Sequence, residues 1–315
     1  MRKINRLIRT ALIGCASSIV LFGQVLSATA VTVQVAQDKF TLDGRPTFLL
    51  GASYFDASNW RSSDLDYLKN RGFNLIRIWM GWGNGYFDDD GNIINGTNLL
   101  SLVRSANYRG MVVDVAILGA SGNDNYEKKV RNAVHFLRNE PNIIFDLMNE
   151  YNLGSGRLSD RELARLYAVA KQTNPKAVVF ASNYTRWMRG NNLDTTGLRN
   201  ELSTGVELVA PHLDRNSLWY NDTDIRVTKI KSYLRSINKN IPVYLQEEHR
   251  NGWRGGDFSA SNFLQAATEC KVSGCAGWIL HTDAGFNLRS RSYADGLDRE
   301  ECRAHDRIGV VIFGR

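Results

Sequence analysis

Short runs of apolar residues recur along the chain at intervals of roughly 30 residues. The runs are nearly continuous instead of alternating with polar residues, which is typical of parallel strands that are buried on both faces. Eight such runs can be placed, at residues 48–50, 75–79, 111–115, 143–145, 177–180, 206–209, 242–245 and 276–280.

Between these runs the apolar residues follow a helical period. Val130, Val134 and Leu137 fall on one face of such a helix, and Ser159 with Glu162 has the spacing of a capping box that opens another. Strand and helix therefore alternate eight times, which predicts an α/β fold with a single (β/α)8 TIM barrel. A doubly wound open sheet is the alternative, but no glycine-rich phosphate loop follows the first run.

The two ends of the chain predict additions to the barrel. Residues 31–40 with 43–44 indicate an N-terminal β-hairpin across the floor of the barrel. Residues 282–315 predict a long, polar and irregular C-terminal tail, part of which curls over the carboxyl end of the barrel. No linker-like segment interrupts the pattern, so residues 31–315 are expected to form one domain.

The first 30 residues have the pattern of a secretory signal peptide. A basic start is followed by an apolar stretch over residues 11–25 and by the small-x-small sequence Ala28-Thr29-Ala30. Export follows, to the periplasm or the outside of the cell, with no membrane contact once the leader is removed. An uncleaved N-terminal anchor remains the alternative.

The charge balance gives no reason to expect a nucleic-acid partner. The chain has 39 basic and 32 acidic residues, and the leader contains four of the basic ones. The remaining 35 basic and 32 acidic residues give a formal charge of +3, and no long basic cluster is present.

Three cysteines follow the leader, at positions 270, 275 and 302. In an oxidising compartment a disulfide is expected, either between Cys270 and Cys275 or between Cys302 and one of them. No histidines accompany them at metal-ligand spacing, and residues 53–56 lack the His-x-His of a barrel metallohydrolase. No metal and no cofactor are therefore predicted.

Polar residues cluster where the predicted strands end, which is where barrel enzymes carry their catalytic groups. A charged side chain directly after an apolar strand is hard to solvate, so its presence there favours a functional role. The candidates are Arg77, Asn149, Glu150, His212, Glu247 and Trp278.

Two of these strand ends resemble a known family. Residues 144–150, Ile-Phe-Asp-Leu-Met-Asn-Glu, resemble the strand-four signature of clan A glycoside hydrolases, and the cellulase-like family 5 is nearest. Residues 242–247 resemble the strand-seven stretch of that family, and residues 74–77 its second strand. The resemblance covers most of the chain after the leader.

The resemblance implies a role for each candidate. Glu150 would be the acid/base and Glu247 the nucleophile, and Arg77 would support the nucleophile. Asn149 would bind the sugar 2-hydroxyl, His212 would face the substrate, and Trp278 would form the floor of the sugar site.

The implied activity is retaining hydrolysis of a β-linked polysaccharide or oligosaccharide. Retention requires two carboxyl groups about 5–5.5 Å apart, which strands on opposite sides of a narrow barrel can provide. A transglycosylase with the same residues and a catalytically inactive glycan-binding barrel are the alternatives. Three features depart from the family: Asp214 stands where a tyrosine is usual, Asp114 is not followed by the family's histidine, and residues 248–250 replace a glycine. Separately, Glu248 could replace Glu247 as the nucleophile if the strand contained a bulge.

Overall fold

A computed structural model describes residues 30–82, 85–119, 125–154, 157–215 and 219–314. Residues 1–29, which make up the predicted signal peptide except for its last residue, lie outside the described residues. In the part of the chain that is described, no helix combines the length and apolar character needed to cross a membrane.

The described strands and helices alternate along most of the chain. The strands are β1 (Val33–Ala36), β2 (Lys39–Leu42), β3 (Arg45–Thr47), β4 (Leu49–Ser53), β5 (Leu75–Trp79), β6 (Val112–Leu118), β7 (Ile143–Met148), β8 (Val178–Phe180), β9 (Ser182–Tyr184), β10 (Met188–Arg189), β11 (Asn192–Leu193), β12 (Ala210–His212), β13 (Tyr244–Leu245) and β14 (Gly277–Leu280). The helices are α1 (Ser62–Asn70), α2 (Gly96–Tyr108), α3 (Tyr126–Phe136), α4 (Asp160–Thr173), α5 (Thr195–Ser203), α6 (Thr223–Ser236), α7 (Ala260–Val272), α8 (Tyr293–Gly296) and α9 (Arg299–Phe313).

The parallel strands close into a barrel. One sheet has the order β13-β14-β4-β5-β6-β7-β8, and β9, which follows β8 after a single residue, pairs in parallel with β12. Val209, just before β12, forms a bridge to Val243, just before β13, which completes the circle. With β8 and β9 counted as one interrupted strand, the predicted (β/α)8 barrel is confirmed.

The sixth barrel strand lies further along the chain than its apolar run suggested. The run at residues 206–209 predicted the strand, whereas β12 covers Ala210–His212 and Val209 forms an isolated bridge just before it. Glu207 explains the difference, because its carboxylate accepts a hydrogen bond from the Val179 amide at 2.9 Å. A side chain thus takes up a backbone donor that a strand at this position would have used.

The side chains of the barrel strands point alternately into and out of the barrel, as expected for a period of two. Inside, residues such as Leu49, Leu75 and Ile144 form one apolar cluster. Outside, Leu50, Ile76 and other strand residues pack against the helices in a larger cluster. This alternation decides which residues at the strand ends can reach the mouth of the barrel.

The N-terminal segment closes the floor of the barrel. The predicted hairpin is present as β1 and β2, and β3 extends it to a three-stranded antiparallel sheet. Phe40 is completely buried and packs edge-on against Tyr244, with ring centroids 5.5 Å apart. Solvent therefore reaches the polar strand ends from the opposite face.

The prediction of an irregular C-terminal tail is wrong. Most of this segment is helical, because Asp298 and Glu301 form a capping box at the start of α9. Ala304, Ile308 and Ile312 then repeat at helical spacing, and they are buried. The part that approaches the carboxyl end of the barrel is a single 3-10 turn, Ala284–Asn287.

The predicted disulfide is present, and of the pairings left open it is the one between Cys270 and Cys275. Cys270 in α7 is bonded to Cys275, which precedes β14, and Cys302 is free. The disulfide joins the end of a helix to the segment that leads into the next barrel strand.

Candidate active site

A cleft of about 570 Å³ opens at the carboxyl ends of the barrel strands. Glu150, which follows β7, and Glu247, which follows β13, both line it. These are strands four and seven of the barrel, as predicted. Both residues are mostly buried, with 8 % and 6 % of their surface exposed. Two carboxyl groups therefore share one poorly hydrated site.

Glu150 has an unusual backbone conformation. Its φ is +53°, in the left-handed region that residues other than glycine seldom occupy. Ser182 in β9 supports it: the Ser182 hydroxyl accepts a hydrogen bond from the Glu150 amide at 3.1 Å, and its carbonyl accepts one from the Tyr151 amide at 3.0 Å. Local strain of this kind is typical of functional sites.

Arg77 in β5 is completely buried and holds three site residues in place. It donates to Glu247 Oε1 at 2.6 Å, to Asp146 Oδ2 at 2.7 Å and to Asn149 Oδ1 at 2.7 Å. Charge-assisted bonds of this length are among the strongest in proteins. Since the Asn149 oxygen faces Arg77, its amide nitrogen is the group that can donate to a ligand.

Nitrogen-bearing side chains surround the second oxygen of Glu247. Arg215 donates to Oε2 at 2.8 Å, and His212 and His281 lie 3.7 Å and 3.8 Å from it. Burial alone would raise the pKa of Glu247, but His212, His281, Arg77 and Arg215 outweigh burial and hold that pKa well below its usual range. Glu247 is therefore ionised at neutral pH.

The two carboxylates are close enough to act on one bond. An oxygen of Glu150, an oxygen of Glu247 and a ring nitrogen of His212 lie within 4.8 Å of one another. His212 Nδ1 is 3.0 Å from Glu150 Oε1, and Arg215 Nη2 is 3.5 Å from the same oxygen. Glu150 thus shares the nitrogen groups of His212 and Arg215 with the ionised Glu247.

Glu248 is turned away from this pair. It is 2 % exposed and does not line the cleft, and its Oε2 has no hydrogen-bond partner. Burial raises its pKa to about 7, against the attraction of Arg226, Arg215 and His212. Glu247 is therefore the glutamate of this strand end that faces Glu150.

The placement expected for Trp278 is wrong. Its side chain is completely buried in the outer apolar cluster between the barrel and the helices, so it cannot touch a ligand in the cleft. The strand positions explain this, because Gly277 and Ile279 on either side face inward and Trp278 must face outward.

Other aromatic rings line the cleft instead. Phe55 stacks on Trp79 at 3.8 Å between ring centroids and on Phe286 at 3.9 Å, and Trp82 packs against this group with 41 % of its surface exposed. Phe286 reaches this position because Gly285 packs against the end of β4. A Cβ on Gly285 would lie 2.8 Å from the Phe55 amide nitrogen.

Arg215 is the site residue that sequence reasoning missed. It follows β12, bonds Glu247 and also packs over the Trp253 ring at 5.2 Å. The sequence signal that could have pointed to Arg215 was its neighbour Asp214, which stands where the family has a tyrosine. The structure places Arg215, in this same segment, beside Glu247. Asp214 itself binds the Gly190 amide, away from both glutamates.

The same cluster has the spacing of a cation site, since Glu150, His212 and Glu247 each offer a ligand atom. Arg77 and Arg215 both donate to Glu247, however, and already neutralise its charge. A metal ion bound there would meet two guanidinium groups, so the donor set fits an ion-pair network better than a metal centre.

The fold and the paired glutamates at its mouth define a glycoside hydrolase of the (β/α)8-barrel class. The family comparison agrees: the model of the cellulase family, glycosyl hydrolase family 5, matches residues 33–247. The chain belongs to this family.

Solved structures of several mannanases share the fold at low sequence identity. The β-mannanase from the blue mussel Mytilus edulis has a TM-score of 0.59 at 13 % identity, over 91 % of this chain and 100 % of that one. The endo-1,4-β-mannanase from Rhizomucor miehei has a TM-score of 0.62 at 14 % identity, over 90 % of this chain and 100 % of that one. The endo-1,4-β-mannanase from Eisenia fetida has a TM-score of 0.58 at 17 % identity, over 88 % of this chain and 95 % of that one. No curated protein matches the chain.

Proposed function

We propose that this glycoside hydrolase cleaves a β-linked polysaccharide or oligosaccharide with retention, with Glu150 as acid/base and Glu247 as nucleophile. The observation that carries the proposal is the short separation of the two carboxylates, since one oxygen of Glu150 and one oxygen of Glu247 lie within 4.8 Å of each other. Inverting enzymes need about 6.5–9.5 Å between the two groups to admit a water molecule.

The environments of the two carboxylates suit different steps. Arg77 holds Glu247 Oε1, whereas Oε2 is the oxygen on the side of Glu150, since it shares the contacts of Arg215 and His212 with that residue. Oε2 is therefore the atom that attacks the anomeric carbon while the bond to the leaving oxygen breaks. Glu150 gives its proton to that oxygen. In the second step water attacks the same carbon, Glu150 takes a proton from the water, and Glu247 is released as a carboxylate.

The cleft offers contacts that suit a sugar chain. The Asn149 amide nitrogen is free to donate to a hydroxyl group beside the reacting carbon. The Phe55, Trp79 and Phe286 group and the exposed Trp82 offer apolar surface for sugar rings. These features support a carbohydrate substrate.

We also propose that the protein acts outside the cytoplasm, in the periplasm or beyond the cell. The leader pattern of residues 1–30 supports export. The Cys270–Cys275 disulfide supports an oxidising compartment, because such bonds persist mainly there.

A substrate screen followed by analysis of the product tests the proposed reaction. The purified protein without residues 1–30 is offered β-glucan, mannan, xylan and aryl β-glycosides. We expect one class to be cleaved, and proton NMR to show the β-anomer as the first product. First release of the α-anomer would contradict retention, and binding without cleavage of any glycan would favour the inactive binding barrel.

The charge of Arg215 predicts a change in the pH profile. Glu247 must be ionised to attack, so activity is lost as the pH falls through its pKa. Because Arg215 lowers that pKa, Arg215→Leu should raise it and move the acidic limb of kcat/KM upward by about one pH unit. Arg254→Leu is the control, since Arg254 packs over Trp253 at 4.5 Å in the same region and forms no ion pair with Glu247. An unmoved acidic limb in Arg215→Leu would contradict this role.

A further inference from the structure

A chain of buried hydrogen bonds leads from Glu150 to a carboxylate in β6. Glu150 Oε1 is 3.0 Å from His212 Nδ1, and His212 Nε2 is 3.4 Å from Gln246 Oε1. Gln246 Nε2 then donates to Asp114 Oδ2 at 2.7 Å. His212, Gln246 and Asp114 are completely buried, so water does not compete for these contacts.

Asp114 determines which way the Gln246 amide points. Its Oδ2 accepts hydrogen bonds from both Gln246 Nε2 and the Tyr244 hydroxyl, the latter at 2.9 Å. Its Oδ1 has no hydrogen-bond partner, so a proton can reside there without changing the role of Oδ2 as acceptor. A reversed amide would place its oxygen against Oδ2. The amide nitrogen therefore faces Asp114, and the amide oxygen faces His212.

The amide oxygen in turn determines the tautomer of His212. An amide oxygen can only accept, so the hydrogen in this contact must be on His212 Nε2. In the neutral imidazole Nδ1 is then an acceptor. An ionised Glu150 would place its lone pairs 3.0 Å from those of Nδ1, whereas a protonated Glu150 can donate to it.

We propose that Gln246 and Asp114 are positioning residues, which fix the Nε2–H tautomer of His212 so that Glu150 keeps its proton until the leaving group departs. This rests on the proposed role of Glu150 as acid/base. No sequence pattern indicates this role, because Gln246 becomes informative only when its contacts with His212 and Asp114 are known.

The charges around Glu150 explain why a fixed His212 tautomer would help that residue to keep its proton. Arg215, 3.5 Å from Glu150 Oε1, favours the ionised carboxylate and so opposes the acid role. The tautomer of His212 acts in the other direction, as do the negative charges of Glu247 and Asp146. The charged and titratable groups that face the Glu150–His212 contact are Arg77, Asp114, Asp146, Arg215, Glu247, Glu248 and His281.

Gln246→Met removes the acceptor at similar side-chain length. His212 can then carry its proton on Nδ1 and donate to an ionised Glu150, which stabilises the wrong state of the acid. The basic limb of kcat/KM should move down by about one pH unit for glycosides with poor leaving groups, and much less for activated aryl glycosides. Gln246→Glu keeps an acceptor oxygen toward Nε2, so it should not produce the downward shift.

Nitrogen-15 NMR of labelled histidine reads the tautomer without using activity. The chain has five histidines, so the His212 signals are assigned by their loss in His212→Asn. We expect protonated Nε2 in the parent and in Gln246→Glu, and protonated Nδ1 in Gln246→Met. Protonated Nδ1 in the parent, or an unchanged tautomer in Gln246→Met, would overturn the proposal.

Glu201→Gln is the control for general loosening near Glu150. Glu201 is buried and accepts a hydrogen bond from the Tyr151 hydroxyl at 2.9 Å, next to Glu150, but has no contact with His212. It should leave the tautomer and the basic limb in place. A tautomer change in Gln246→Met with an unmoved basic limb would instead show that Glu150 is not the acid, which separates failure of the proposed function from failure of the tautomer assignment.

Discussion

Glu150→Ala should lower kcat on glycosides with poor leaving groups by about 10²–10⁴-fold, because the leaving oxygen loses its proton donor. Activated aryl β-glycosides, which leave with little protonation, should still glycosylate Glu247. The slow step then becomes attack by water, which has also lost its general base. Azide needs no base and fits the space left by the carboxylate, so it should restore turnover and give a β-glycosyl azide, identified by NMR.

Glu150→Gln is the matched control for this rescue. Glutamine also lacks the acidic proton, but it fills the space in which azide would bind. We expect the same loss of kcat with little or no rescue. Full parental activity in Glu150→Ala on every glycoside would remove Glu150 from the reaction.

Glu247→Ala removes the proposed nucleophile and should cause the largest loss, on the order of 10⁶-fold, since no covalent intermediate can form without a nucleophile. Any rescue by azide should come from direct attack on the vacated face and give the α-glycosyl azide. The opposite anomers from the two variants, measured on one aryl β-glycoside, would assign the two roles independently of the rates.

Glu248→Gln controls for the neighbouring position. Glu248 is buried but directed away from Glu150, so its neutral isostere should retain activity within a few-fold of the parent. A loss as large as that of Glu247→Ala, with a matching change in azide product, would transfer the nucleophile role to Glu248.

The sequence was sufficient for the barrel and for the position of its polar end. Few folds other than the (β/α)8 barrel accommodate eight buried apolar strands that alternate with helices. A polar residue that follows such a strand must lie at its carboxyl end. Arg77, Asn149, Glu150, His212 and Glu247 meet in the structure for this reason. Each lies in a strand or within two residues of its end, so the strand register controls its direction.

The remaining features depend on information that strand patterns do not contain. Trp278 was misplaced because the apolar run 276–280 does not reveal which of its residues face inward. Arg215 lies three residues beyond β12, where a loop sets the direction of the side chain. The sequence analysis did not predict helix α9, because many of its residues are charged and the three buried positions, Ala304, Ile308 and Ile312, lie one helical turn apart among them.

The sealed floor of the barrel has a consequence for the order in which the molecule can fold. Phe40 from the first sheet packs on Tyr244, and the first barrel strand, β4, pairs with the last, β14. These contacts join residues more than 200 positions apart, so neither the floor nor the circle can close before β13 and β14 have been synthesised. Non-local closure of this kind slows folding, and until the last strand is in place the edges of the sheet remain open to other chains. A chain that crosses a membrane unfolded would therefore have to complete all of this after its C-terminal part has arrived.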